Sequence, residues 1–141
     1  TCYTQESDTA KLLAFAGQHG TVIRMERAIG EFLIEGTAVV SVLGTNPLDE
    51  KDVRRLASAC IVGQQRTMDQ DAAFGIRQLV DVAMKALSPG INDTTTAVMC
   101  VDYLTTILVQ LAGRQMESRC RTKDGALRLL TRGPPFPGIV G

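Results

Sequence analysis

The chain has 141 residues with 15 basic and 15 acidic side chains, so its formal charge is zero, and only 4% of it is aromatic, with no tryptophan. This balance excludes the basic footprint and the stacking platforms that nucleic-acid binding requires, and Arg54-Arg55 is an isolated basic pair. The length fits a single domain able to bury a core without staples; no apolar run approaches the ~20 residues that span a bilayer, and no signal peptide is legible.

Residues 1–6 (TCYTQE) have strand composition. The first residue is Thr and falls inside this strand, which suggests a chain excised from a longer protein. Ser7 or Asp8 can cap a helix over 8–19 whose inner side carries Leu12, Leu13, Phe15 and Ala16, and Gly20 suits its C-terminal stop. His19 in the last turn complements the helix dipole. Three short β-rich runs follow, at 20–25, 30–36 and 39–42, punctuated by Gly20, Gly30 and Gly36. Their spacing predicts a small barrel or flattened sandwich, similar to the barrel-sandwich carriers of biotin and lipoate. Those carriers place a modified lysine just after such strands. Here Leu43-Gly-Thr-Asn-Pro47 follows and the first lysine after the strands is Lys51, so carrier function is not expected.

Asn46-Pro47 reads as a loop, and Asp49 with Asp52 forms a capping pattern for a helix over 50–64 with Val53, Leu56, Ala57, Cys60 and Ile61 on its apolar stripe. A helix over 69–87 carries Ala72, Ile76, Leu79, Val80, Ala83, Ala86 and Leu87 at helical spacing. Arg77, Asp81 and Lys85 stand four apart on its flank and can pair. Gly75 inside this helix costs about 1 kcal/mol relative to Ala and marks a close approach by another helix or chain. Ser88-Pro89-Gly90 ends it. Asn92 or Asp93 caps the next helix, 93–112, whose main apolar face is Thr96, Cys100, Tyr103, Leu104, Ile107, Leu108 and Leu111, with Val98, Val101 and Val109 as a second stripe. A helix apolar on two sides is sandwiched or lies at a subunit interface. Asp124-Gly125 between strand-like runs predicts a hairpin, and Pro134-Pro135-Phe136-Pro137 an extended exit segment.

Cys2, Cys60, Cys100 and Cys120 are too widely spaced for a metal site, and Cys60 and Cys100 fall at apolar helical positions. Buried free thiols favour a reducing compartment. No Walker loop or GxGxxG occurs, and neither Ser88 nor any cysteine has a base beside it in sequence. No catalytic residue, metal or cofactor is therefore assigned.

The segments Arg66-Thr67, Gln70-Asp71, Phe74-Gly75-Ile76-Arg77-Gln78-Leu79-Val80-Asp81, Ala86-Leu87-Ser88-Pro89-Gly90-Ile91-Asn92-Asp93 and Thr96-Ala97 resemble the signature of a family of predicted bacterial membrane proteins known only as a domain of unknown function. Gly30-Glu31-Phe32, Glu35-Gly36 and the Asp124-Gly125 tail fit the same pattern, so the resemblance covers nearly the whole chain. Thr94 stands where the family often has proline. The resemblance implies transmembrane helices ahead of this part, a membrane location for the full-length protein, and no reaction.

Together these readings predict an α+β fold: a glycine-punctuated, barrel-sandwich-like β unit on a layer of three helices, with a C-terminal hairpin. It is read as one soluble domain with a β-rich part to residue 47, a helical part over 48–113 and a hairpin and tail over 114–141. Arg66, Gln70, Asp71, Gly75, Arg77, Gln78, Asp81, Ser88, Asn92 and Asp93 are the candidate ligand or assembly residues. The function expected is assembly or ligand sensing without catalysis, as a homo-oligomer on the cytoplasmic side, partnered by the transmembrane region of the same chain. The alternative is an enzyme or a metal- or anion-binding module. It would use Asp71, Asp81 and Asp93 as oxygen ligands beside Arg66 and Arg77, or the free N–H groups of a helix N-terminus beside Asn92.

Overall fold

A computed structural model describes residues 2–45, 47–68, 70–115 and 118–132. Thr1, Asn46 of the expected loop and the Pro134–Pro137 exit segment lie outside the described residues. The fold is α+β: β1 (Cys2–Ser7), α1 (Thr9–His19), β2 (Val22–Met25), β3 (Phe32–Leu33), β4 (Val40–Leu43), α2 (Glu50–Ser58), β5 (Cys60–Gly63), α3 (Ala72–Ala86), α4 (Thr94–Ala112), β6 (Cys120–Lys123) and β7 (Ala126–Leu130). The chain divides into two compact units: Thr1–Asp71 with Ser118–Gly141, and Ala72–Glu117.

In the first unit the strands form two open sheets rather than a closed barrel. One is antiparallel in the order β3-β1-β5, and the other is mixed in the order β4-β2-β7-β6, with β2 and β7 parallel. The strand β2 shows why this segment is extended. Ile23 and Met25 are buried while Arg24 between them is exposed, which is the period-two pattern of a half-buried strand. The helix α1 presents Leu12, Phe15 and Ala16 to the same core, which Ile23, Met25, Leu56, Ala59 and Leu129 complete. Leu12, Ile23 and Leu129 are at most 1% exposed, and each contributes about 1.5–3 kcal/mol of transfer free energy.

The local stops follow the sequence. Asp8 caps α1 by accepting from the Lys11 N–H at 3.0 Å, and Gly20, at φ 64°, closes it in the left-handed region. Asp49 and Asp52 form a reciprocal capping box on α2. Asp124 and Gly125, at φ 55° and 74°, make the β6–β7 turn with both central residues left-handed. His19 does more than face a helix dipole: it stacks on Phe15, with ring centroids 4.3 Å apart, and its Nε2 lies 3.4 Å from Asp52 Oδ1, tying α1 to α2.

One element departs from the reading of the sequence. The helix expected over 50–64 stops at Ser58, and Cys60–Gly63 is strand β5, paired with β1 through Ser7↔Cys60 and Tyr3↔Gly63. Ile61 and Val62 are β-branched, and the ladder offered by β1 overrides a helical period read from five apolar positions. Of that stripe, Leu56 alone is buried within α2, while Val53 is 55% exposed.

The second unit is a helical hairpin. Its helices α3 and α4 pack on one another across residues 87–93. Among its described residues the buried apolar ones are all small: Ala86, Ala97 and Cys100. Tyr103 and Leu108, expected on the inner face of α4, are more than half exposed.

Candidate functional site

The candidate residues sort into two groups by the unit that holds them. In the first unit, Arg66 and Asp71 form a part-buried ion pair, with Nε 2.7 Å from Oδ2 and the Asp71 side chain 5% exposed. This pair faces the turn at Gly30, whose φ is 81°. A Cβ on Gly30 would land on Asp71 Oδ2 and lie 2.6 Å from Arg66 Nε. Gly30 N–H donates to Thr4 O at 2.7 Å, and Thr4 N–H donates to Glu31 O at 3.1 Å. Gln70 Oε1 accepts from the Ser7 N–H at 3.1 Å, and Gln5 Nε2 donates to Gln65 O at 2.7 Å. Gln65 and Gln70 are thus fastened to β1, and the ion pair of Arg66 with Asp71 fills the space that the missing Gly30 side chain leaves. The first group is a lock between two segments far apart in sequence.

In the second unit, Arg77 and Asp81 pair on the solvent face of α3 at 3.1 Å, with both side chains more than half exposed. A pair of this kind contributes about 0.3–0.5 kcal/mol. Gln78 is exposed beside them, and Gly75 is half-buried. Ser88 Oγ donates to Lys85 O at 2.7 Å, and Ser88 O accepts from the Ile91 and Asn92 N–H groups. Asn92 takes a left-handed φ of 49°, a conformation that asparagine tolerates better than most residues. The turn delivers Asp93, which caps α4: its Oδ1 accepts from the Thr96 N–H at 3.0 Å and its Oδ2 from the Thr96 hydroxyl. These bonds from Thr96, side chain first, hold the Asp93 carboxyl below the usual carboxylate range. Asp71 therefore belongs to the lock in one unit, whereas Asp81 and Asp93 sit in the other as a surface pair and a cap. Among the described residues, no group of three or more His, Cys, Asp or Glu side chains has metal-holding geometry.

The depressed carboxyls set a pH expectation. Side-chain bonds from Ser41 and Arg24 lower Glu26, the Lys11 N–H and ammonium lower Asp8, and Thr96 lowers Asp93. A carboxyl lowered on folding stabilises the fold above its unfolded value and loses that contribution as pH falls through the folded one. The urea midpoint is therefore expected to hold flat at neutral pH and to drop as pH falls below about 4. An Asp93→Ala variant should start from a lower midpoint and show a shallower acid loss, with Asp93→Asn keeping most of the capping.

The cysteines give a second chemical check. Burial raises the Cys60 thiol and Cys100 is buried, while Cys120 is exposed. Alkylation of the native chain is expected at Cys120 well before Cys100, read by mass mapping against time. Equal rates would show that α4 opens readily.

Two features lay outside the sequence reading. Gly30 was legible as a turn but not as the slot for Arg66 and Asp71, because its partners lie far along the chain. An open cleft of about 680 Å³ in the first unit, bordered by Arg24, Arg27 and Arg132, had no sequence signal beyond the i, i+4 spacing of Arg27 and Glu31.

The geometry defines an α+β chain with a locked two-sheet unit and an apolar helical hairpin. The chain belongs to the family of predicted membrane proteins described as DUF2254, which it matches over residues 1–141. It is similar to three uncharacterised mycobacterial proteins, Mb1321c of Mycobacterium bovis and Rv1290c and MT1328 of Mycobacterium tuberculosis. Each is 44% identical over 79 residues, covering 56% of this chain and 15% of the relative. No solved structure matches the chain. Among the described residues one helix, α4, is long and apolar enough to cross a membrane, with 19 residues and a mean hydropathy of 1.4. No uninterrupted apolar run marks this helix in the sequence. In α4 the apolar residues are broken by Asp102 and by threonines yet still dominate the average.

Proposed function

We propose that this chain is a non-enzymatic assembly domain of a bacterial membrane protein, joining copies through the α3–α4 hairpin. One observation carries the reading. Among its described residues the helical unit buries only small apolar ones and leaves eleven large ones exposed, among them Met84, Leu87, Val98, Val101, Leu108 and Val109. A surface of that kind on a soluble domain marks an interaction site.

The same helix could instead meet lipid, but its neighbour argues against that. The helix α3 packs on α4, is 15 residues long, which is short of the ~17–25 needed to span, and carries Arg77, Asp81 and Lys85 exposed. Taking such charges to the centre of a bilayer costs roughly 2.5–3.5 kcal/mol each. Protein is the better cover for this face. The four free thiols support a reducing, cytoplasmic side for the domain. Light scattering over a concentration series tests the reading. A defined oligomer is expected, and a monomer throughout would overturn it.

A further inference from the structure

The cleft in the first unit lies between β2, the turn at 34–38 and Arg132 just past β7. Its volume, about 680 Å³, is in the range of small-molecule sites, and its lining is more polar than most. The charges along it are unequally satisfied. Glu26 is held by Arg24, whose Nε and Nη2 lie 2.7 and 2.6 Å from Oε1, so these two largely neutralise one another. Arg27 and Arg132 are placed differently. Their Nη1 atoms lie 3.6 and 4.0 Å from the two oxygens of Glu31, beyond the 2.7–3.2 Å or so of an ordinary N–H···O bond. Two guanidinium groups thus share one carboxylate at arm's length, and neither makes a close bond to it. Arg27 Nε is also enclosed, with no hydrogen-bond partner among the described residues. Glu35 at the cleft is the opposing charge, and no ion pair holds it there among the described residues.

We propose that this cleft binds a phosphate group between Arg27 and Arg132. A guanidinium offers planar, paired N–H donors that match phosphate oxygens, and two of them flanking one anion satisfy donors that Glu31 reaches only loosely. A free phosphorylated metabolite and a lipid headgroup present the same group, and the cleft chemistry serves either. This site is independent of the hairpin interface, because every residue in it belongs to the first unit.

Titration calorimetry with inorganic phosphate and co-sedimentation with phosphatidylglycerol vesicles, both on the 141-residue chain, test the proposal. The wild type is expected to bind at least one of the two probes. Arg132→Gln is expected to weaken that binding at least about tenfold. Arg132 is more than half exposed, so the variant should keep its circular dichroism and urea midpoint. Arg27→Gln should weaken binding similarly, and Glu35→Gln should tighten it by removing a repulsive charge. Vesicle binding that inorganic phosphate displaces would place a lipid headgroup in the cleft; phosphate binding without vesicle binding would place a soluble ligand there. Failure of the wild type to bind either probe, or equal binding by folded Arg132→Gln, overturns the proposal.

Discussion

Gly30→Ala is expected to lower stability by about 3–5 kcal/mol, while Gly36→Ala costs only about 1 kcal/mol. The two glycines share a backbone conformation, with φ of 81° and 85°, so the left-handed penalty for alanine is common to both. They differ in what a Cβ would meet. At Gly36 nothing lies within 4 Å, whereas at Gly30 the new atom would overlap Asp71 Oδ2 and crowd Arg66. Moving the carboxylate aside pulls a buried charge off its cation, and breaking such a pair is what makes the change expensive. Urea unfolding of the two variants measures the difference. A second comparison isolates the cause: in an Asp71→Ala background the added cost of Gly30→Ala should shrink, because the atom in the way is gone. Equal destabilisation by Gly30→Ala and Gly36→Ala would show that the slot is not tight and that the lock contributes little.

What the sequence revealed tracks how far each interaction reaches along the chain. Asp8, Asp49 with Asp52, Asp93 and the Asp124-Gly125 turn were all legible, because a cap or a two-residue turn is decided by neighbours within four positions. The pairing of Arg77 with Asp81 was legible for the same reason, as one turn of helix brings them together. The strand β5 was not. Cys60–Gly63 continues an acceptable helical period, and only its ladder with β1, more than fifty residues earlier, decides the matter. The role of Gly30 was hidden likewise. Its glycine is demanded by side chains at positions 66 and 71, and a sequence read in order offers no sign that they meet it. The polar candidates around Asp71 and Asn92 stand out in the sequence because a plain core helix does not need them. Their observed bonds are a lock, a surface pair, a turn and a cap, which spacing alone cannot distinguish from a ligand shell.

The other large effect is expected in the solution mass. The helix α4 carries two seams with alternating steps of three and four residues. Ala97, Cys100, Leu104, Ile107 and Leu111 form the buried or half-buried one that meets α3, and Val98, Val101, Thr105, Leu108 and Ala112 form an exposed one. They are offset by one residue, roughly 100° around the helix, so a single partner helix cannot cover both. Even the threonine in the outer seam is prepared for burial, since its hydroxyl donates to Val101 O at 2.8 Å and needs no outside acceptor. If the outer seam receives another copy, Val101→Glu with Leu108→Glu should dissociate the assembly. Each copy loses two apolar anchors worth about 1.5–3 kcal/mol apiece and gains two charges in the contact, so affinity should fall at least about a thousandfold. Far-ultraviolet circular dichroism should be retained, because both positions face outward in the hairpin. Gln110→Glu, exposed on a different side of α4, should leave the mass unchanged. A wild-type monomer would remove the assembly reading altogether. An oligomer that survives the double substitution would place the contact on another face of the chain, and the exposed side of α3 around Val80 and Met84, with Leu87 just past its end, would be the next surface to charge.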